Sequence, residues 1–178
     1  MSYSKEWTLF LDRDGVINRE LREDYVTRWE DFIFEEGALN ALAKVSELFG
    51  KIIIVTNQRG IGIQKMTEND LHFIHEQMSQ KIKAAGGRID AIYFAPAADR
   101  SDIRRKPNPT MAYEAQVHFP EIDLSKAVIV GNSISDMEFG RNAGMKTIFI
   151  DEKKKFSGIK TVVMDEIYES LFDWTTVL

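Results

Sequence analysis

Short β-branched apolar runs alternate with segments of helical period along most of this chain, and that alternation constrains the fold more than any other feature. Trp7 to Leu11 is an apolar run ending at Asp12, too short for a helix and suited to a buried strand. Gly37 to Phe49 places Ala38, Leu39, Leu42, Val45 and Leu48 at helical spacing, and Gly50 supplies a stop. Lys51 to Val55 reads as a strand covered on both faces. A helix is predicted from Thr67, whose followers Glu68, Asn69 and Asp70 suit the positive dipole end, to about Ala85, before Gly86-Gly87.

The alternation continues with a strand over Asp90 to Phe94 and a helix opened by Pro109 and running to about His118. A strand over Lys126 to Val130, a short helix over Asp136 to Asn142 and a strand over Lys146 to Ile150 follow. Thr161 to Val163 is expected to add an edge strand before a last helix near Glu166 to Phe172. Strands separated by helices require right-handed crossovers, so the expectation is a three-layer α/β/α, Rossmann-like fold with a mostly parallel sheet. The 178 residues suit a single domain, 1–178. The irregular stretch from about Gly15 to Glu36 is too small for a domain; it is either a flap over a site or a surface excursion.

Composition narrows the classes of partner. With 23 basic and 28 acidic residues the net charge is −5, which argues against a general nucleic-acid binder. The chain has no cysteine, which excludes disulfides and cysteine-ligated zinc. Met1 to Trp7 lacks an apolar signal core, and Ile52-Ile53-Ile54-Val55 is far too short to span a bilayer. A cytoplasmic monomer with no membrane contact is the default expectation.

Open α/β sheets bind ligands beyond the carboxyl ends of their strands. Those ends read Asp12-Arg13-Asp14-Gly15, Thr56-Asn57-Gln58-Arg59-Gly60, Ala95-Pro96 and Gly131-Asn132-Ser133. Asp12 and Asp14 are two apart on an extended segment, so their side chains can point the same way. Close carboxylates repel, and a hard cation such as Mg2+ relieves the repulsion. One carboxylate can then attack phosphorus while the other, protonated, serves the leaving oxygen. Thr56 and Asn57 offer a hydroxyl and an amide to a phosphate, or a turn cap. Arg105 and Lys106 put two cations before a helix start, as phosphate ligands or as a solvated basic loop. Gly131 to Asp136 offers oxygen ligands, although Ser135 is also a candidate helix cap. His72 and His75 lie three apart on the predicted helix, but with no third ligand beside them, and like His118 they read as packing or surface residues.

The order Asp-x-Asp-Gly, Thr, Lys and acidic loop resembles the haloacid dehalogenase superfamily. Phe10 to Asn18, Val55 to Gln58 and Arg105-Lys106-Pro107 look like the branch of the heptose-bisphosphate and histidinol-phosphate phosphatases, and Asp24-Tyr25-Val26 with Phe32 to Gly37 is similar to its short flap. The resemblance implies a magnesium-dependent phosphomonoester hydrolase with a minimal cap. Its substrate would be a small phosphorylated metabolite such as a heptose bisphosphate, handled through an aspartyl-phosphate. It makes Asp12 the nucleophile and a metal ligand, and Asp14 the general acid/base with its carbonyl on the metal. Thr56 and Lys106 hold the phosphoryl group, Asn57 and Arg105 assist, and Arg59 either reads a second anionic group or is solvated.

Two departures stand out. The usual Gly-Asp of the fourth motif is Gly131-Asn132, leaving Asn132 and Asp136 as metal ligands. Pro96 to Arg104 lacks the branch's cysteines and histidine, so no zinc is expected. Histidinol phosphate, a polynucleotide 3′-phosphate, or a catalytically weakened phospho-ligand-binding protein are the alternatives. The acidic balance disfavours nucleic acid.

Overall fold

The computed structural model describes residues 3–21, 24–152 and 163–178. Its strands are β1 (Thr8–Leu11), β2 (Lys51–Asn57), β3 (Ala91–Ala95), β4 (Ala127–Gly131), β5 (Lys146–Ile150) and β6 (Glu166–Tyr168). The helices are α1 (Ala38–Leu48), α2 (Arg59–Gly62), α3 (Glu68–Ala84), α4 (Thr110–His118), α5 (Ile134–Ala143) and α6 (Leu171–Thr176). The six strands form one sheet in the order β3-β2-β1-β4-β5-β6, with every pair parallel.

Period-2 alternation within the apolar runs builds both faces of this sheet. Leu9, Leu11, Ile52, Ile54, Val128 and Val130 pack on one side with α1, α3 and α6. Phe10, Ile53, Val55, Ala127 and Ile129 pack on the other with α4 and α5. All of these strand residues are fully buried, each large side chain contributing about 2 kcal/mol. On the second face Gly140 lets α5 approach closely: a Cβ there would fall 2.4 Å from Ile129 Cγ2. The result is the three-layer α/β/α architecture expected from the alternation.

Two boundaries differ from the sequence expectation. Thr161 and Val162 lie outside the described residues, and the edge strand is instead Glu166–Tyr168, parallel to β5. Glu166 there pairs with Lys146 at 2.5 Å across the sheet edge. The last helix starts only at Leu171, because Ser170 accepts the Asp173 N–H at 2.9 Å and caps it. Helix α5 is likewise capped by Ser133 rather than Ser135. Ser133 and Asp136 form a reciprocal capping box, and the spacing of three residues decides which serine serves.

β1 sits at the centre, flanked by β2 and β4, so connections leave its end in opposite directions. That switch point opens a crevice at the carboxyl ends of the strands. Residues 15–21 and 24–36 lie beside it. The ends of this insert are tied by Arg19 N–H donating to Ile33 O at 2.8 Å and Glu35 N–H to Ile17 O at 2.9 Å. Trp29, Phe32 and Phe34 pack together at its base, with ring centroids 5.1 to 6.5 Å apart.

Candidate active site

Asp12 continues the β1 ladder by donating its N–H to Val130 O at 2.9 Å, and the chain then turns sharply. Gly15 makes that turn possible. Its φ is +79°, and a Cβ there would also lie 1.9 Å from the Asn132 amide nitrogen. The tight loop brings Asp12 and Asp14 into one cleft of about 370 Å3. Thr56, Asn57, Lys106, Asn132 and Asp136 line the same cleft, as do Glu20, Leu21, Asp24, Tyr25 and Val26 of the insert. Arg59 and Arg105 stand outside this lining.

Lys106 is the hub. It is 4% exposed, and its Nζ lies 2.8 Å from Asp12 Oδ1 and 2.5 Å from Asp136 Oδ1. It also donates to Val55 O at 2.8 Å. Burial opposes the charge on Lys106, but the two carboxylates overcome it and raise the pKa. The lysine is therefore protonated. Asn57 fixes its backbone: Asn57 Oδ1 accepts the Lys106 N–H at 3.0 Å and Asn57 Nδ2 donates to Lys106 O at 3.2 Å. Asp136 is fully buried, with Oδ2 accepting from Ser133 N at 3.0 Å and Ser133 Oγ at 2.6 Å. Both of its oxygens are thus engaged within the fold.

The two motif carboxylates have opposite environments. Burial, reinforced by the Asp136 charge and only partly offset by Lys106, raises Asp12 to about 7. For Asp14, burial acts in the same upward sense, but the Arg13 charge and hydrogen bonds from Arg13, Asn18 and Gln58 outweigh it and lower the pKa. Arg13 Nη2 and Asn18 Nδ2 reach Asp14 Oδ1 at 2.8 and 2.9 Å. Gln58 Nε2 reaches Asp14 Oδ2 at 3.0 Å and Thr56 Oγ1 at 2.9 Å, linking the end of β2 to the β1 loop.

Among the described residues no three His, Cys, Asp or Glu side chains gather closely enough to form a metal cluster on their own. A hard cation nevertheless fits here. Asp12 carries a buried, repelled carboxylate, and its Oδ2 has no hydrogen bond among the described residues. Asp14 and Asn132 line the same cleft, and an amide oxygen such as that of Asn132 is a neutral donor that suits a hard cation. Asn132 Nδ2 donates to Glu20 Oε2 at 3.3 Å.

Arg105 is half-buried on the Ala97 carbonyl, to which Nη1 donates at 2.8 Å. Burial and then the charges of Arg59 and Arg100 depress its pKa, so three cations share this side of the molecule. The loop from Pro96 to Arg104 is closed by Arg104 on Glu114 at 2.9 Å and by Asn108 Nδ2 on Asp102 O at 3.2 Å.

Sequence reasoning gave no role to Gln58, Arg13, Glu20 or His75. Gln58 had a usable signal, since it stands two residues beyond Thr56 at a strand end. Glu20 and His75 reach the site only through tertiary folding.

The family model described as HAD-hydrolase-like matches residues 103–156, which span Lys106 and the Asn132 loop. A D-glycero-alpha-D-manno-heptose-1,7-bisphosphate 7-phosphatase of Mycobacterium tuberculosis is 36% identical over 139 residues, 77% of this chain and 73% of the relative. The chain belongs to the haloacid dehalogenase superfamily, in the heptose-bisphosphate phosphatase branch. A D-glycero-beta-D-manno-heptose-1,7-bisphosphate 7-phosphatase of Neisseria meningitidis is 31% identical over 173 residues, 94% of this chain and 91% of its own. The crystal structure of D,D-heptose 1,7-bisphosphate phosphatase from B. bronchiseptica, complexed with magnesium and phosphate, superposes with a TM-score of 0.86 at 25% identity. It covers 96% of this chain and 97% of its own. No helix among the described residues is long and apolar enough to cross a membrane.

Proposed function

We propose that this chain is a magnesium-dependent phosphatase that removes one phosphoryl group from a small sugar bisphosphate, a heptose 1,7-bisphosphate being the substrate its relatives indicate. One observation carries the reading. A buried lysine, the tip of β1 with its two carboxylates, and the β2 hydroxyl of Thr56 converge on a single cleft.

Asp12 attacks phosphorus, the bond from phosphorus to the leaving oxygen breaks, and an aspartyl-phosphate forms. Asp14 gives its proton to the departing alkoxide. In the free protein that carboxyl is held ionised, and an incoming phosphate anion raises its proton affinity, so the proton is taken up with the substrate. In the second half Asp14 accepts a proton from water as the water attacks the aspartyl-phosphate, releasing phosphate and restoring Asp12. Lys106 and Thr56 hold the transferring oxygens, and Asn57 and Asp136 hold Lys106. Asp12, the Asp14 carbonyl and Asn132 would hold Mg2+, which supplies charge neutralisation on the phosphoryl oxygens. The engagement of both Asp136 oxygens supports a lysine-positioning role for that residue.

The Arg59, Arg100 and Arg105 charges favour a substrate with a second anionic group. Glu20 and Asp24 on the insert side of the cleft disfavour a polynucleotide strand. The test is turnover of both anomers of heptose 1,7-bisphosphate, fructose 1,6-bisphosphate, histidinol phosphate, p-nitrophenyl phosphate and a 3′-phosphorylated oligonucleotide, with and without Mg2+. Mg2+-dependent turnover, highest on a heptose bisphosphate, is expected. A folded protein inactive on every substrate would leave only a phospho-ligand-binding role, and preference for histidinol phosphate or the oligonucleotide would overturn the substrate.

A further inference from the structure

Arg13 stands between the two motif carboxylates, yet its guanidinium is turned away from water and is 1% exposed. Its Nε and Nη2 lie 3.3 and 2.8 Å from Asp14 Oδ1, and its Nη1 lies 3.2 Å from His75 Nε2. Its Cζ sits 5.9 Å from the centre of the Phe32 ring at the base of the insert. His75 comes from α3, far along the chain, and is 5% exposed with its ring edge toward Phe94.

The chemistry of this contact leaves one arrangement. A guanidinium has donors only, so His75 Nε2 must present its lone pair. The ring proton then sits on Nδ1 and the imidazole is neutral. Burial, the adjacent Arg13 charge and, more weakly, His72 act in the same sense and press its pKa to about 3, against an opposing contribution from Asp14. At Asp14, Arg13 and Asn18 together occupy Oδ1. Oδ2 is left to Gln58 and the cleft.

We propose that His75 is a positioning residue for the reaction: its neutral imidazole aims the Arg13 fork, and the fork fixes which Asp14 oxygen exchanges the proton. The proposal rests on the reading of Asp14 as general acid and base. It assigns a task to a histidine that the motif pattern leaves unused. It also explains why the residue between the two aspartates is a buried arginine rather than a solvated one. A lysine could not grip Asp14 with two nitrogens while donating a third to the helix.

The test compares wild type with His75→Leu and His75→Gln on p-nitrophenyl phosphate at saturating Mg2+, with folding checked by circular dichroism. Leucine removes the acceptor, and kcat is expected to fall roughly tenfold while KM holds within about twofold. Glutamine keeps an acceptor oxygen, and kcat should return to within about threefold of wild type. Wild-type kcat in the leucine variant, equal damage in the glutamine variant, or a loss confined to KM would overturn the proposal.

A second measurement does not depend on either variant folding. In 15N-histidine-labelled wild type, His75 should show the Nδ1–H neutral tautomer, unchanged between about pH 5 and 8. An Nε2–H tautomer or a titrating His75 would overturn the proposal. Asp14→Asn separates the two readings. Full activity in that variant would remove the acid–base role of Asp14, whereas an inactive Asp14→Asn beside an Nε2–H His75 would remove only the role given to His75.

Discussion

The Lys106 ammonium lies 2.5 Å from Asp136 Oδ1, an oxygen with no directed hydrogen bond, so the contact is ionic and wholly buried. The same nitrogen neutralises Asp12 at 2.8 Å. Lys106→Met therefore leaves two buried carboxylates without a counter-charge. Removing one partner of a buried ionic group costs about 3–5 kcal/mol, and turnover should vanish with the phosphate ligand. The double variant Lys106→Met/Asp136→Asn is expected to recover part of the stability, because the remaining carboxylate no longer faces a second one. Thermal denaturation of wild type, both single variants and the double variant measures this coupling. Strict additivity would mean that Lys106 and Asp136 do not act as a pair.

Asn132 offers a second test. Its amide donates to Glu20 Oε2 at 3.3 Å, and it closes over Gly15. Asn132→Asp replaces that donor with a carboxylate facing Glu20, which should lower the melting temperature without metal. With metal the added charge should tighten Mg2+ roughly tenfold. Isothermal titration calorimetry reads the affinity directly, and an unchanged or weaker value would remove residue 132 from the metal's ligands.

These groups show what the sequence makes legible. Ile52 to Val55 and Leu9 to Leu11 announce buried strands because a sheet covered on both faces needs unbroken apolar runs. Once the strands are placed, Asp12, Thr56, Lys106 and Asn132 fall near the cleft by topology. The misplaced features depend on finer chemistry. Ser133 and Ser135 both precede α5, and only the reciprocal contact with Asp136 selects Ser133. Glu166 to Tyr168 has no strong period of its own and is drawn into the sheet by the free edge of β5. Glu20 meets Asn132 and His75 meets Arg13 across long chain separations, where no local pattern reports the contact.

The raised pKa of Asp12 makes a pH prediction. A free aspartate titrates near 4, and in the fold Asp12 is moved to about 7 by burial and by Asp136. Between those values the folded protein keeps a proton that the unfolded chain has released. This contribution to stability therefore falls as pH rises from about 4 to about 7. His75 and Asp14 act in the opposite sense, since both are lowered and lose their stabilising part as pH falls. The Asp12 share is thus read as the difference between wild type and Asp12→Asn. Mg2+ favours the ionised carboxylate, so its addition should raise the melting temperature of wild type more at pH 7 than at pH 5. Asp12→Asn should lose both this difference and all turnover while remaining folded. Full activity in that variant would end its assignment as nucleophile.

Arg59 and Arg100 are exposed, and their charges bear on half-buried Arg105, so three like charges share one side of the molecule, with Asp102 and Tyr25 acting against them. A second anionic group on the substrate would relieve that repulsion, whereas p-nitrophenyl phosphate carries none to place there. Arg59→Ala is therefore expected to raise KM for a heptose bisphosphate roughly tenfold, the worth of one charge-assisted contact. Turnover of p-nitrophenyl phosphate, which has no second anionic group, should keep its KM. Steady-state kinetics on the two substrates give the comparison, with Arg59→Lys retaining most of the effect if charge rather than fork geometry is what matters. Equal changes on both substrates would place Arg59 in general folding or phosphate binding. No change on either would return it to the solvent.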